Sequence, residues 1–77
     1  MYTDVVLGSE LLKYIDDTGV QCNIEVFFLI DEIRAYASFA DDEDEIYIGL
    51  GIHPNNMEFA VHSAINDLLN KFRYRNN

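Results

Sequence analysis

Five consecutive carboxylates stand near the middle of the chain, and they are the residues best suited to bind a charged partner. The run consists of Asp41, Asp42, Glu43, Asp44 and Glu45. In an extended segment, side chains two residues apart lie about 6.5 to 7 Å from each other on the same side, and each carboxylate can accept a bidentate arginine pair. The run therefore fits either a solubilising hairpin loop or an array that engages clusters of Arg and Lys.

A metal site is a poorer interpretation of these residues. An EF-hand loop that began at Asp41 would need Gly at its sixth position and Glu at its twelfth, whereas those positions hold Ile46 and Ile52. His53 and His62 do not form the zinc motif, which requires two histidines flanking a glutamate. We therefore expect no metal and no cofactor.

The sequence also lacks a recognisable catalytic constellation. It contains no Gly-rich phosphate loop and no Ser or Cys nucleophile with a positioned base, and a chain of 77 residues leaves little room for a ligand pocket of about 300 Å³. Cys22, the single cysteine, is expected to be a small buried hydrophobic residue instead of a reactive thiol. We expect that the protein is not an enzyme.

The negative charge is concentrated in the first part of the chain. The formal net charge is −9, and 12 acids lie between Asp4 and Glu45 against two bases, Lys13 and Arg34. Such a field repels phosphate backbones and anionic membranes and attracts basic protein surfaces. The single cysteine and the absence of a recognisable targeting or membrane segment favour a reducing, cytoplasmic setting. The length predicts one domain over residues 1–77.

The first predicted element is a short helix over 9–18. Ser9 is a suitable N-cap, Gly19 can end a helix in the left-handed conformation, and Leu11, Leu12 and Ile15 have helical spacing. Three strands are then predicted over 21–30, 33–40 and 45–52, because apolar residues alternate in each segment. A shared inward face would pair Val26 with Ala37 and Ala35 with Leu50.

Pro54 and the asparagines after it predict the start of a longer helix over 55–74. Its apolar stripe would close the core over the sheet. The fold class is therefore α+β, with the order αβββα: a three-stranded antiparallel meander packed against a short N-terminal helix and a longer C-terminal helix.

This order, with 51–56 leading into Ala60, Ala64 and Leu68, resembles the double-stranded RNA-binding domain. The resemblance implies two helices stacked on one face of the sheet. That family grips phosphates with lysines at the start of its last helix, but here those positions hold Asn55, Asn56, Met57 and Glu58. Direct nucleic-acid binding is therefore not expected.

The face of the sheet that points away from the helices is predicted to be apolar. Such a patch either marks an interface or is covered by the N-terminal segment Val5, Val6 and Leu7 or by the first helix. Phe59 is expected to add an exposed aromatic ring on the last helix. The predicted partner-binding residues of this surface are Phe27, Leu29, Tyr36, Tyr47 and Phe59.

Two hypotheses about function follow from the negative charge and from the apolar patch on the sheet. The first is an inhibitor that occupies the basic nucleic-acid-binding surface of a partner protein, as DNA mimics and phage anti-defence proteins such as anti-CRISPR proteins do. The second is a structural or regulatory interaction module that forms a homodimer through its open sheet face. Salt dependence of binding separates the two, because only the first depends on long-range charge attraction.

Overall fold

A four-stranded antiparallel sheet with one helix across it forms the fold. The computed structural model describes residues 6–41 and 47–75, with side chains described as far as Arg73. The elements are β1 (Val6–Ile15), β2 (Gln21–Leu29), β3 (Ile33–Phe39), β4 (Gly49–His53) and α1 (Met57–Arg75). The strands lie in the order β1-β2-β3-β4. The expected α+β class is confirmed, but the order is ββββα.

The prediction of an N-terminal helix over 9–18 is wrong, because this segment belongs to β1. Short helices are marginal unless tertiary contacts hold them, and here β1 pairs along the length of β2, from Ile15 opposite Gln21 to Val6 opposite Leu29. Strand pairing therefore overrides the helical spacing of the leucines. The resemblance to the double-stranded RNA-binding domain fails with this helix.

The turn between β1 and β2 contains the sequence signal for a hairpin, which is Asp16 followed by Gly19. Gly19 has a φ of 89°, as the expected left-handed conformation requires, but it closes a hairpin instead of ending a helix. Its N–H donates to the Asp16 carbonyl at 3.1 Å, and the Asp16 N–H donates to the Val20 carbonyl at 3.0 Å. An aspartate followed three residues later by a left-handed glycine is typical of a three-residue hairpin loop.

The expected strand register is also corrected. Val26 pairs with Ala35 and not with Ala37, a shift of two residues that leaves the inward face of β2 and β3 unchanged. Ala35 pairs with Gly51 and not with Leu50, a shift of one residue that reverses the faces of β4. Gly49 and Gly51 therefore face the helix, while Leu50 and Ile52 face outward.

The reversal of β4 allows α1 to lie directly on the strand. A Cβ placed on Gly51 would lie 2.0 Å from the carbonyl oxygen of Ala60, and one on Gly49 would lie 2.1 Å from that of Ala64. Leucine or isoleucine on the inward face would hold the helix away from the strand. The helix thus approaches the sheet most closely where the glycine pair of β4 faces the alanine pair of α1.

The core lies between α1 and the inward faces of the central strands, and α1 contacts β4, β3 and β2 but not β1. From the described part of β1, only Leu12 packs against the core. The buried core residues are Cys22, Ile24, Val26, Ala35, Ala37, Ala60, Ala64, Ile65 and Leu68. Much of β1 therefore extends beyond the region that the helix covers.

Candidate functional site

The sheet face opposite α1, here called the open face, presents a band of apolar and aromatic side chains. One row across the four strands consists of Leu11, Glu25, Tyr36 and Leu50, which pair in sequence. Leu11 is 77% exposed, and Leu50 is 40% exposed. Exposed apolar side chains that adjoin one another on a small domain mark an interaction surface more often than isolated ones do.

The open face is concave. A trough of about 630 Å³ lies between β1 and the start of β4, and the polar side chains on its walls include Lys13, Asn23, Glu25 and Ser38. This is more space than the length of the chain led us to expect. The trough is open to solvent along its length, a shape that suits an extended segment or a protein surface better than an enclosed small ligand.

The structure brings together only part of the predicted apolar patch. Phe27 and Tyr36 lie side by side on the open face, with ring centroids 5.8 Å apart in an edge-to-face arrangement. Leu29 is buried, beside the irregularity where β1 meets the end of β2. It is therefore not part of the exposed patch.

Tyr47 lies elsewhere, because it belongs to a cluster that packs at the end of α1. Its ring is 5.6 Å from that of Phe72 and 6.5 Å from that of Phe39, and it packs against the core. The reversed faces of β4 explain the difference, since the sequence assigned Tyr47 to the outer face with the opposite alternation. The residues that replace it on the open face are Leu11, Ile48, Leu50 and Ile52, all exposed.

Phe59 is exposed as expected, but its ring stacks on that of His53 at 5.2 Å. Nδ1 of His53 accepts hydrogen bonds from the N–H groups of Asn55 and Asn56 at 3.2 and 3.0 Å. The side-chain oxygen of Asn56 in turn accepts from the N–H of Phe59 at 3.0 Å, which is the geometry of a helix N-cap. His53 therefore supports the entry to α1 instead of standing free for acid-base chemistry.

The meander places two acidic segments at one end of the sheet. Asp16 and Asp17 belong to the β1–β2 turn, Asp41 follows β3, and the Ala40 N–H donates to the Gln21 carbonyl at 2.9 Å, which joins the two segments. A shallow depression there is lined by 18–21 together with Ala40 and Asp41. We call Asp16, Asp17 and Asp41 the acidic end. The predicted residues Asp42, Glu43, Asp44 and Glu45 lie outside the described residues.

The carboxylates of the acidic end differ in their availability. Asp16 accepts hydrogen bonds from the Thr18 hydroxyl at 2.7 Å and from the N–H groups of Thr18 and Val20 at 2.9 Å each. The Thr18 hydroxyl, followed by the backbone donors, lowers the pKa of Asp16. Asp17 and Asp41 are exposed. They can therefore contact a partner while Asp16 holds the turn.

Cys22 and the remaining titratable groups do not suggest a catalytic centre. The Cys22 side chain is buried, and this burial, reinforced by the charge of Asp16, raises the pKa of its thiol, which disfavours the reactive thiolate. Within 6–41 and 47–75, no three His, Cys, Asp or Glu side chains gather as a metal site would require. The described helix is also not long and apolar enough to cross a membrane.

The two edges of the sheet are built differently. On β4, the Leu50 N–H donates to Oδ2 of Asp67 at 2.9 Å, and Nζ of Lys71 donates to the Ile48 carbonyl at 2.8 Å. Lys71 and Asp67 also form an ion pair at 3.0 Å. The hydrogen bond from Leu50, with help from Lys71, lowers the pKa of Asp67. Two side chains of α1 thus bond to the outward Leu50 N–H of β4 and to the Ile48 carbonyl just before the strand.

Comparison with known proteins gave no match: no family model, no curated protein and no solved structure is significantly similar to this chain.

Proposed function

We propose that this chain is a non-enzymatic binding protein that inhibits a nucleic-acid-binding partner by occupying the partner's basic surface. The observation that carries the proposal is the acidic end, where Asp16 and Asp17 are joined to Asp41 although they lie more than 20 residues away in sequence. The acidic run from Asp41 to Glu45 continues from the same point of the chain. A partner that binds phosphates with Arg and Lys presents the complementary charge.

The proposal corresponds to the mode of action of DNA mimics, including phage anti-defence proteins such as anti-CRISPR proteins. Exposed carboxylates on a compact acidic domain resemble phosphates in charge and spacing, so they compete with nucleic acid for the same cations. The cytoplasm is the setting that we propose, because the targets of such an inhibitor are there and because Cys22 is a free thiol.

A competition experiment tests the proposal. A panel of RNA-guided nucleases and basic DNA-binding regulators is loaded with a fluorescent DNA duplex, and the chain is titrated in while fluorescence anisotropy is followed. We expect the chain to release DNA from at least one member competitively. Because the attraction is electrostatic, release should fade as the screening length falls from about 10 Å at 0.1 M salt to about 3 Å at 1 M.

Two variants of equal charge locate the contact. Asp17→Asn with Asp41→Asn removes two charges from the acidic end, while Asp31→Asn with Glu58→Gln removes two charges from the opposite end of the sheet. Both variants remove two negative charges and so change the formal net charge from −9 to −7. We expect the first pair to weaken DNA release at least tenfold and the second to change it little. Equal effects would show that overall charge, not the acidic end, is responsible.

Neutralising the acidic run is the stronger version of the same test. The four substitutions Asp41→Asn, Asp42→Asn, Glu43→Gln and Asp44→Asn should abolish DNA release and leave the melting temperature unchanged or slightly raised, because like charges are removed. If the neutralised chain released DNA with unaltered affinity and salt slope, the proposal would be wrong, and the open face would become the surface to test.

A second candidate function is an interaction module that self-associates through the open face. The exposure of Leu11, Leu50 and Ile52 beside Phe27 and Tyr36 favours it, since burying such a band is a main driving force for association. Tyr36→Glu would place a charge in the middle of the band, whereas Ser63→Glu adds the same charge to an exposed position on the helix and serves as the control.

Sedimentation at about 100 μM measures the outcome, because a dimer with an affinity of tens of micromolar is mostly formed at that concentration. If the open face is the interface, the unaltered chain and the Ser63 variant will sediment as dimers and the Tyr36 variant as a folded monomer. An unaltered chain that is monomeric at this concentration would rule out self-association through the open face.

A further inference from the structure

The outer edge of β1 is a row of backbone groups that the described residues leave without partners. Both backbone groups of Asp16 take part in the turn toward β2, and the N–H and C=O groups of an antiparallel strand point to alternate sides. The even-numbered residues from Gly8 to Tyr14 therefore bond to β2, and Ser9, Leu11, Lys13 and Ile15 direct their N–H and C=O groups outward. Nothing in the described part of the chain bonds to these groups.

The side chains along this edge are as uncovered as its backbone. α1 does not reach β1, and Leu11 and Ile15 are 77% and 62% exposed. On the opposite edge, Asp67 and Lys71 bond to the Leu50 N–H and the Ile48 carbonyl. Long and uncovered edge strands are the usual place at which another strand adds to a sheet, and of the four residues with outward backbone groups only Lys13 is charged.

We infer that the outer edge of β1 pairs with β1 of a second copy of this chain, in an antiparallel arrangement centred on Leu11. A two-fold axis perpendicular to the sheet would place the two helices on the same face and join two four-stranded sheets into one continuous sheet. Outward-pointing residues would then exchange hydrogen bonds across the axis, Leu11 with Leu11 of the second copy and Ser9 with Lys13 of the second copy.

The sequence of β1 disfavours three of the neighbouring registers. Centres at Glu10 or at Lys13 would place like charges directly opposite each other, which is unfavourable. A centre at Leu12 would set Leu11 against Lys13. Only the centre at Leu11 sets the most exposed leucine against itself.

The Leu11 register also fits on the helix-side face of β1. There Tyr14 would lie opposite Gly8 of the second copy, and a Cβ on Gly8 would meet nothing within 4 Å. The space beside Gly8 can therefore accept an aromatic ring. Tyr14 and Gly8 are thus complementary in size across the axis, which argues for a second copy as the occupant instead of an unrelated peptide.

Amide hydrogen exchange, measured by NMR between about 10 μM and 1 mM, tests the pairing residue by residue. We expect the N–H groups of Ser9, Leu11 and Lys13 to gain at least tenfold protection as the concentration rises, while those of Leu12 and Tyr14, already bonded to β2, change little. A dimer formed through the open face would leave the outward amides of β1 unprotected, and so would a monomer. Either result overturns the inference.

Substitutions at Leu11 separate backbone pairing from side-chain contact. Leu11→Pro removes one outward N–H and none of the bonds to β2, so the monomer should fold and the dimer should be lost. Leu11→Val keeps the N–H and should still form a dimer in sedimentation. If the proline variant fails to fold, the exchange experiment on the unaltered chain still decides.

Cysteine crosslinking tests the register. Leu11→Cys places two thiols at the two-fold axis, within the Cα separation of about 4.4 to 6.8 Å that a disulfide needs, and should give a covalent dimer on mild oxidation. Leu50→Cys on the open face is the control and should stay monomeric under denaturing conditions. Crosslinking at Leu50 but not at Leu11 would overturn the pairing. The acidic-end variants carry no substitution in β1. Failure of the β1 pairing and failure of the proposed inhibitor function are therefore distinguishable by these two experiments.

Discussion

The two edges of the sheet show how a small domain uses one helix. At β4, the helix lies on paired glycines and contributes Asp67 and Lys71 to the outward backbone. At β1, the strand extends past the helix with its backbone edge and several apolar side chains exposed. One helix of 19 residues caps part of one edge of a four-stranded sheet and leaves the other edge uncovered. A small domain can therefore have one edge closed against association and one suited to it.

The largest loss of stability is expected from disrupting the packing of α1 on β4. Gly51→Ala would place a Cβ 2.0 Å from the Ala60 carbonyl oxygen and 2.6 Å from the Ala64 nitrogen, and backbone atoms cannot move aside. Overpacking costs about 1 to 3 kcal/mol and occasionally more, and a clash with backbone belongs at the upper end, against a net stability of about 3 to 5 kcal/mol for a chain of this size. We expect the variant to be largely unfolded by circular dichroism at 25 °C.

Gly8→Ala in β1 is the matched control at the uncovered edge of the sheet. Gly8 has open space where its Cβ would stand, so the substitution should be neutral or stabilise the monomer by about 0.4 to 1 kcal/mol through the unfolded state. Urea denaturation measures both variants. A loss of stability at Gly8 as large as that at Gly51 would show that β1 is packed as tightly as β4.

Removing the seal of β4 should have an intermediate effect. Asp67→Ala leaves the Leu50 N–H without its acceptor and Lys71 without its ion pair. The carboxylate is 38% exposed, so the loss should be about 1 kcal/mol, below the usual range for a hydrogen bond to a charged group. Asp67→Asn retains an acceptor and should lose less.

Asp67→Ala should also allow the β4 edge to associate as the β1 edge does. With its outward N–H released, β4 becomes a second site for strand addition, and light scattering at about 100 μM should show assemblies larger than a dimer. Unchanged scattering would mean that side-chain capping is not what keeps β4 from associating.

Acidification should reproduce part of the effect of Asp67→Ala. Hydrogen bonds in the folded state lower the pKa of Asp67 and of Asp16. Their stabilising contributions are therefore complete above the usual carboxyl pKa of about 3.9 and are lost as the pH falls through the lowered values. The unfolding free energies of the unaltered chain and of Asp67→Ala should converge as the pH falls below about 4. A constant difference across that range would contradict the assignment.

The smallest effect is expected at the turn that holds β1. Asp16→Ala removes the acceptor for Thr18 and Val20, all of it exposed to water, so the melting temperature should fall less than for Asp67→Ala. Asp17→Ala removes a neighbouring charge without these bonds and should leave the melting temperature unchanged. Equal effects of the two substitutions would show that the charge, and not the hydrogen bonds, matters at this turn.

The pattern of residues predicted well the elements that local chemistry specifies. Alternation gave β2 and β3 with their inward faces, and Pro54 with the asparagines gave α1 to within two residues of its observed start at Met57. Asn56 caps the helix as a side-chain acceptor should. The alternation of residues also identified Phe27 and Tyr36 as open-face residues, which the structure places in contact.

The sequence misled where two local patterns were possible. The leucines of 9–18 have helical spacing, but they lie in a strand because the hairpin turn at 16–20 directs the segment onto β2. In β4, the alternate residues Ile48, Leu50 and Ile52 suggested an inward face, whereas the glycines between them face the helix. The paired glycines in the strand and paired alanines four residues apart in α1 were the available signal.

By itself, then, the sequence determined the acidic charge, the α+β class, the central strands, the closing helix and the burial of Cys22, because each depends on residue type and short-range spacing. Only the tertiary structure decided the N-terminal strand, the faces of β4, the joining of Asp16 and Asp17 with Asp41, and the contrast between the two edges. These depend on which backbone surfaces can approach one another. That choice is made by the whole sheet and helix together, because a strand edge or a glycine surface acquires its role only from the element that packs against it.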